Sequence, residues 1–396
     1  MKQILLLIVY LISILAGFAC NRTIDKKNIS LVWESLSTQG LDSDLAKGVS
    51  AAYVAYIDDR LIVAGGANFP EDPPYKDGSK VLYDEIMLYD EETCTWIEIG
   101  RLHHKSAYGV SIATRNNVFW IGGNTDFGSL NESYKVLFNN DNTVRLESFI
   151  SLPISLDNFA GCSINNQLFV GGGNADGRAS NCFYTINLDK DEQWIRLSDF
   201  PGLPRVQPTM SSLEIGGKIY IYLMGGFFGG DSKNNPYVST DVLRYDVQEE
   251  TWEVVAVQED EDLLIPFSLV GSTSMSYDNR YIVCFGGVDY DIFLNAITSQ
   301  YNIEYNSELS DDSKKALKKE FSEKYLTQSQ EYYNFSKKSR VFDSYKGTWR
   351  TIDQSSNVAR AGATIVYNKN KFWLVQGELK PGVRSPQTWM GTIHTK

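Results

Sequence analysis

The sequence predicts an all-β fold of six repeated four-stranded units, and three observations carry that prediction. First, apolar segments ending in Gly-Gly recur: RLIVAGG (60–66), NVFWIGG (117–123), QLFVGGG (167–173), IYIYLMGG (219–226) and YIVCFGG (281–287). KFWLVQG (371–377) is a sixth, with Gln376 in place of the first glycine. Second, an aromatic-Asp pair stands seven residues before a tryptophan in YDEETCTW (89–96), YDVQEETW (245–252) and FDSYKGTW (342–349), with a looser version near Trp194. Third, an alternating apolar strand and a polar turn precede the Gly-Gly strands, as in AAYVAYIDDR, SLEIGGK and ATIVYNKNK, which is how a β-hairpin is written. Six such units of about fifty residues are the signature of a six-bladed kelch-type β-propeller.

The elements follow in chain order. Residues 1–19, MKQILLLIVYLISILAGFA, place one lysine before an apolar run that ends in small residues, as an export signal does. The run is short for a stable membrane span, and no second span follows. Cys20 comes directly after Ala19, where the lipid-carrying residue of a bacterial lipoprotein stands, although Gly17 occupies a position that favours leucine. The expectation is an exported chain in the periplasm, either anchored to the outer membrane by lipid on Cys20 or cleaved to a soluble form. Residues 20–30 then form a linker, and 31–396 the propeller. Its sixth unit ends in TWMGTI (388–393), one tryptophan strand short of the pattern. LVWESL (31–36) supplies that strand from the other end, so the two ends share a blade and the ring closes without a free edge.

Composition limits the partners. With 43% hydrophobic and 22% charged residues among 396, the chain can bury a large core. A net charge of −12 argues against a nucleic-acid partner, which needs a basic face. Cys94, Cys162, Cys182 and Cys284 lack metal-ligand spacing and read as buried thiols, although an exported protein can form a bridge. Three histidines make a His-rich metal site a poor reading, and no cofactor is implied. Trp33, Trp96, Trp194, Trp252 and Trp349 recur with the units and read as packing between blades.

Function is sought where the repeat is broken. The interval between the fifth and sixth Gly-Gly strands is long, and residues 306–336 place Leu317, Phe321 and Tyr325 at helical spacing behind Ser310 or Ser313 as caps. That helical insertion is either a wall of a pocket or a solvated excursion. A loop at 67–85, stiffened by three prolines, follows the first Gly-Gly strand. The sixth strand runs directly into GELKPGVR (377–384), a charged turn at the end of a buried strand. Loops that follow Gly-Gly strands leave on one face, so Asn68, the insertion and Glu378 to Arg384 should converge on one opening.

These residues resemble a known family, the N-acetylneuraminate mutarotases, also called N-acetylneuraminate epimerases, which are six-bladed kelch propellers of the bacterial periplasm. GELKPGVR resembles that family's Gly-Glu-x-Lys-Pro-Gly-x-Arg motif. LPRVQPT (203–209), SAYGVS (106–111), VAGGANF (63–69) and GGVDYDIF (286–293) are further matches. The resemblance spans nearly all of the mature chain, in cyclically permuted order. It implies that Glu378 is the proton acceptor and that Arg384 helps hold a sialic acid, the small-molecule substrate. The chemistry agrees: interconverting the anomers of this 2-keto sugar acid takes a proton from the anomeric hydroxyl and gives one to the ring oxygen. The sugar carboxylate suits a planar guanidinium, for which Arg384 and Arg205 are candidates. Gln207, Asn68 and Lys380 complete the set of candidate substrate contacts. An ordinary turn arginine remains the alternative for Arg205. Arg360, His103 and His104 read as structural.

Other functions remain on the page. Kelch propellers also serve as binding scaffolds, and fold does not fix function. A sialidase would use repeated Ser-x-Asp-x-Gly-x-Thr-Trp boxes, which FDSYKGTW echoes only loosely, together with an arginine triad. A copper-radical oxidase would need histidine ligands that this chain hardly has.

Overall fold

The computed structural model describes residues 28–139, 143–260 and 264–395; the expected export segment and Cys20 lie outside them. The fold is mostly β, in many small antiparallel sheets. Among the described residues, six sheets each contain a path of four antiparallel strands, and five of them run consecutively along the chain. Their first strands are Tyr53–Ile57, Val110–Ala113, Ala160–Ile164, Val206–Ile215, Thr273–Tyr277 and Thr364–Asn368. The sixth sheet is completed from the other end of the chain: Ile29–Ser35 pairs antiparallel with Trp389–Thr395, with Trp33 opposite Gly391.

The six first strands pack on one another in a closed cycle, each touching the one before and the one after. A circuit of backbone hydrogen bonds ties their entrances together. The N–H of Ala51 donates to Gly362 O, that of Tyr108 to Ala51 O, and that of Asn158 to Tyr108 O, at 2.7, 3.0 and 2.8 Å. Gln207 N–H donates to Asn158 O, Gly271 N–H to Gln207 O, and Gly362 N–H to Gly271 O, at 2.8, 3.3 and 2.8 Å, which returns the circuit to its start. All six residues have positive φ, between 52° and 67°. Only Gly271 and Gly362 adopt that conformation freely, so the other four carry a local cost of about 1 kcal/mol each that the circuit offsets.

The Gly-Gly pairs connect the same seams. The second glycine donates across to the next sheet: Gly66 to Ser106 O, Gly173 to Arg205 O, Gly287 to Arg360 O, and Gly377 to Val49 O, at 2.7–2.9 Å. Each acceptor lies two residues before a circuit residue. That position is buried in every unit: Val49, Ser106, Leu156, Arg205, Leu269 and Arg360 are at most 4% exposed. The recurrent tryptophans bind the rim. Trp33 donates to Asp353, and Trp96, Trp194 and Trp252 donate to the carbonyls of Ser37, Ile150 and Ser198, each outside the tryptophan's own sheet. Packing therefore carries these indoles, as the repeat implies.

Two expectations need correction. The four cysteines among the described residues are unbridged, but Cys94 is exposed in the turn of YDEETCTW, at φ 53°, rather than buried. The helical region is larger than 306–336: α1 (Tyr290–Glu304), α2 (Asp311–Leu326) and α3 (Gln330–Tyr333) all lie between the second and third strands of the fifth sheet. Asp289 caps α1 by accepting from Ile292 N–H, and Ser310 caps α2 by accepting from Ser313 N–H. The first helix escapes a sequence reading because its apolar face is interrupted by polar residues and packs on Phe227 and Val238 from another sheet.

Candidate active site

Residues Glu378–Lys380 and Val383–Arg384 form a short hairpin, with Glu378 opposite Arg384. It leaves the end of strand Lys371–Val375 beside the circuit, since Glu378 and Ala361 exchange both backbone hydrogen bonds, at 2.7 and 2.9 Å. Pro381 and Gly382 make the turn. Gly382 has φ +84°, and a Cβ there would lie 2.5 Å from Pro74 of the proline-rich loop. Its N–H donates to Glu378 Oε1 at 2.9 Å. The glycine of the motif thus fixes the carboxylate that opens it.

Arg384 closes the arrangement. Its Nη1 donates to Glu378 Oε1 at 2.5 Å and its Nε to Ser50 Oγ at 3.2 Å, while the guanidinium lies over the Phe69 ring at 5.2 Å. The arginine side chain is only 6% exposed and the glutamate 24%, so the ion pair has one open side, on the carboxylate. Tyr108, from the circuit, lies near Ser50 and Arg384; burial pushes its ionisation up, Arg384 opposes this, and the Glu378 charge adds to it. Lys80 stands over the face of the same ring at 4.9 Å.

Two cavities meet at Tyr108. One, of about 730 Å³, runs along the six first strands; the other, of about 750 Å³, opens among the loops. Tyr108, Asn158 and Gln207 line both. The second is walled by polar groups around Asp157, a 4% exposed carboxylate that accepts from Asn124, Ser129, Asn158 and Asn174. Four donors on one buried carboxylate account for its burial without a cation.

The other candidates divide. Gln207 lines the neck, and its Nε2 donates to Asn158 Oδ1 at 3.2 Å. Lys380 Nζ donates to Gln328 O at 2.6 Å, so it ties the loop between α2 and α3 to the hairpin. The α2 helix also touches Pro74–Lys76, and α3 touches Glu378–Lys380. Tyr333 of α3 is pushed up to about 12 by burial, by Tyr332 and by Glu378. Asn68 is not a ligand contact in this conformation. It is 1% exposed, its Nδ2 donates to Asp44 O and Gly48 O, and its Oδ1 accepts from Tyr83. Arg205 is likewise 1% exposed, with Nη2 on Asp241 at 2.8 Å, because it occupies the buried seam position described above. Arg360, at the same seam position, donates to Gln376 O and Gln387 O, and burial pushes it down to about 10. His103 packs edge-on against Tyr134, and His104 faces Glu132 at 3.4 Å. Among the described residues no group of three or more His, Cys, Asp or Glu side chains could hold a metal ion. No helix among them is long and apolar enough to cross a membrane.

Comparison with known proteins gives this geometry a relation. A family model described as N-acetylneuraminate epimerase matches residues 149–396, which include the whole Glu378 to Arg384 hairpin. The chain belongs to the N-acetylneuraminate epimerase family. Members similar to it are the N-acetylneuraminate epimerases of Yersinia enterocolitica, 27% identical over 62% of this chain and 57% of that one, and of Haemophilus influenzae, 27% over 63% and 60%. N-acetylneuraminate epimerase 1 of Escherichia coli is 26% identical over 63% of this chain and 66% of its own. The chain therefore spans less than two thirds of the length of these relatives. A solved structure described as that of YjhT matches 59% of this chain and 61% of its own, at 23% identity and a TM-score of 0.48. Ser50, which Arg384 bonds, Tyr108, which lines both cavities, and Asp157, which lines the second, were not among the candidates read from the sequence. Aligning the units finds Tyr108 as a circuit residue two places before its inner strand, and Ser50 and Asp157 one place before the circuit residues Ala51 and Asn158.

Proposed function

We propose that this chain is a mutarotase that interconverts the α and β anomers of N-acetylneuraminate by acid–base ring opening, on a six-bladed kelch-type β-propeller. The observation that carries the reading is the Glu378–Arg384 pair, its carboxylate still partly exposed beside the circuit and aimed by the turn glycine of the family motif. Six four-stranded sheets, the cyclic packing of their first strands and the circuit of backbone bonds support the ring. The three helices are an insertion in the fifth blade that walls the site, which Lys380 supports by its bond to Gln328 O.

Glu378 accepts the proton of the anomeric hydroxyl and returns it after the ring recloses. Arg384 keeps that carboxylate aimed and offers the sugar carboxylate a cation in a dry setting. Gln207 and the amides around Asp157 suit the hydroxyl and acetamido groups of the sugar. The N-terminal residues support export to the periplasm, with lipid on Cys20 as the anchor. The substrate is a small molecule, and the acidic chain suits no nucleic acid.

The test is NMR of freshly released α-N-acetylneuraminate, following both anomers with wild-type protein, with Glu378→Gln, and without protein. Faster equilibration with wild type and the blank rate with the variant are expected. Wild type at the blank rate while the sugar still binds would make the site a receptor.

A further inference from the structure

Ring opening moves two protons, and Glu378 accounts for one. Resting on the mutarotase reading, we propose that Tyr108 is the second proton-transfer group: its hydroxyl protonates the sugar's ring oxygen while Glu378 takes the proton of the anomeric hydroxyl.

The placement follows from the fold. Tyr108 is held at φ +66° by the circuit, N–H on Ala51 O and carbonyl under Asn158 N–H, and the preceding Ala107 is fully buried. A ring so anchored projects into the neck where the two cavities meet. Its side chain lies near Ser50 and Arg384, and Arg384, which bonds Ser50, is the residue that holds Glu378. Three other groups near the carboxylate are occupied. Arg384 is bound on Glu378 and Ser50 and is too basic to release a proton. The ammonium of Lys380 is on Gln328 O, and the Tyr333 hydroxyl donates to Tyr325 O. Tyr325, whose ring stacks on Phe321, is another phenol that senses the Glu378 charge and serves as the control. Burial keeps the Tyr108 phenol protonated, and the neighbouring guanidinium stabilises the phenolate left after transfer.

The step balances. The anomeric O–H breaks toward Glu378, the bond from C2 to the ring oxygen breaks as C2=O forms, and the ring oxygen takes the phenol proton. Rotation about C2–C3 presents the other carbonyl face. The chain hydroxyl then attacks C2 and returns its proton to the phenolate, and Glu378 protonates the new anomeric oxygen.

Anomer exchange measured by NMR in H2O/D2O mixtures, with a protein-free blank, tests this on wild type, Tyr108→Phe and Tyr325→Phe. A bowed dependence on deuterium fraction is expected for wild type and for Tyr325→Phe, from two protons in flight. Tyr108→Phe should bind the sugar as wild type does, run roughly 100-fold slower, and give a straight line. Three results each overturn the proposal: a straight line for wild type, a Tyr108→Phe rate within about threefold of wild type, or loss of curvature in Tyr325→Phe instead. Should Tyr108→Phe melt early, the curvature of wild type and of Tyr325→Phe still decides. A wild-type rate equal to the blank removes the mutarotase reading itself, a failure the blank reads separately.

Discussion

Replacing Asn68 by alanine separates an amide that holds the fold from one that holds a sugar. In the structure the side chain is 1% exposed and all three of its bonds are internal: to Asp44 O at 2.9 Å, to Gly48 O at 2.8 Å, and from the Tyr83 hydroxyl at 2.7 Å. Alanine breaks all three at once. A buried polar group that loses its partner costs about 1–3 kcal/mol, and a water admitted to the vacated space recovers part of that, so the expected loss is roughly 3–4 kcal/mol. Urea unfolding followed by tryptophan fluorescence measures it, with the KM for sugar taken under folding conditions. The midpoint should fall clearly and KM should stay within about twofold. Tyr83→Phe should cost less, and the double variant less than the sum, since both remove one shared bond. An unchanged midpoint with a KM raised tenfold would refute this reasoning and return Asn68 to the sugar site.

Other outcomes follow from the same geometry. Gly382→Ala puts a Cβ against Pro74 at a φ of +84°, which costs about 1–2 kcal/mol and moves the N–H that aims Glu378, so kcat should fall far more than stability; equal rates would show that the turn does not aim it. Lys380→Met removes the bond to Gln328 O, and amide hydrogen exchange should speed up across 326–333; unchanged exchange there would show that the bond holds nothing. Tyr83, Tyr245 and Tyr333 are buried and pushed up to about 12, mainly by burial, whereas unfolded they ionise near 10. Their contribution is complete below pH 10 and is lost as pH climbs from 10 to 12, roughly 2–4 kcal/mol in all by pH 11. Denaturation midpoints that stay level from pH 8 to 11 would contradict it.

Much of the architecture is legible in the chain because the repeat encodes contacts between units. The second glycine of a pair must approach the next sheet closely enough for its N–H to reach a carbonyl there, as Gly66 reaches Ser106 O, so the letters persist where the contact persists. The tryptophans recur for a similar reason, each indole reaching beyond its own sheet. The hairpin of Glu378 and Arg384 stood out as charge at the end of a buried strand, and geometry explains its spacing: residues six apart face one another across a turn. What escaped was decided by distant partners. Lys380 reads as a cation beside the motif until a loop 52 residues away takes its ammonium. Asn68 sits in a loop of exposed character, yet Asp44, Gly48 and Tyr83 enclose it.

Arg205 tests how far such reasoning reaches. It stands in a segment matched to the family and carries the charge a sugar acid wants, yet its place in the repeat is one that Val49, Leu156 and Leu269 fill elsewhere, always buried. Its Nη2 is on Asp241, while Nε and Nη1 have no hydrogen-bond partner. A guanidinium so placed adds little to stability, because desolvation takes back most of what the ion pair contributes. Asp241 remains 25% exposed in its side chain and keeps the Ser239 hydroxyl, so it is not stranded if the arginine goes. Arg205→Met, which keeps the volume of the stem, should therefore change stability by no more than about 1–2 kcal/mol and leave KM where it was. A KM raised tenfold or more at unchanged stability would mean that the two unpartnered nitrogens turn toward the sugar when it binds, and that the seam between the third and fourth sheets opens in the working enzyme.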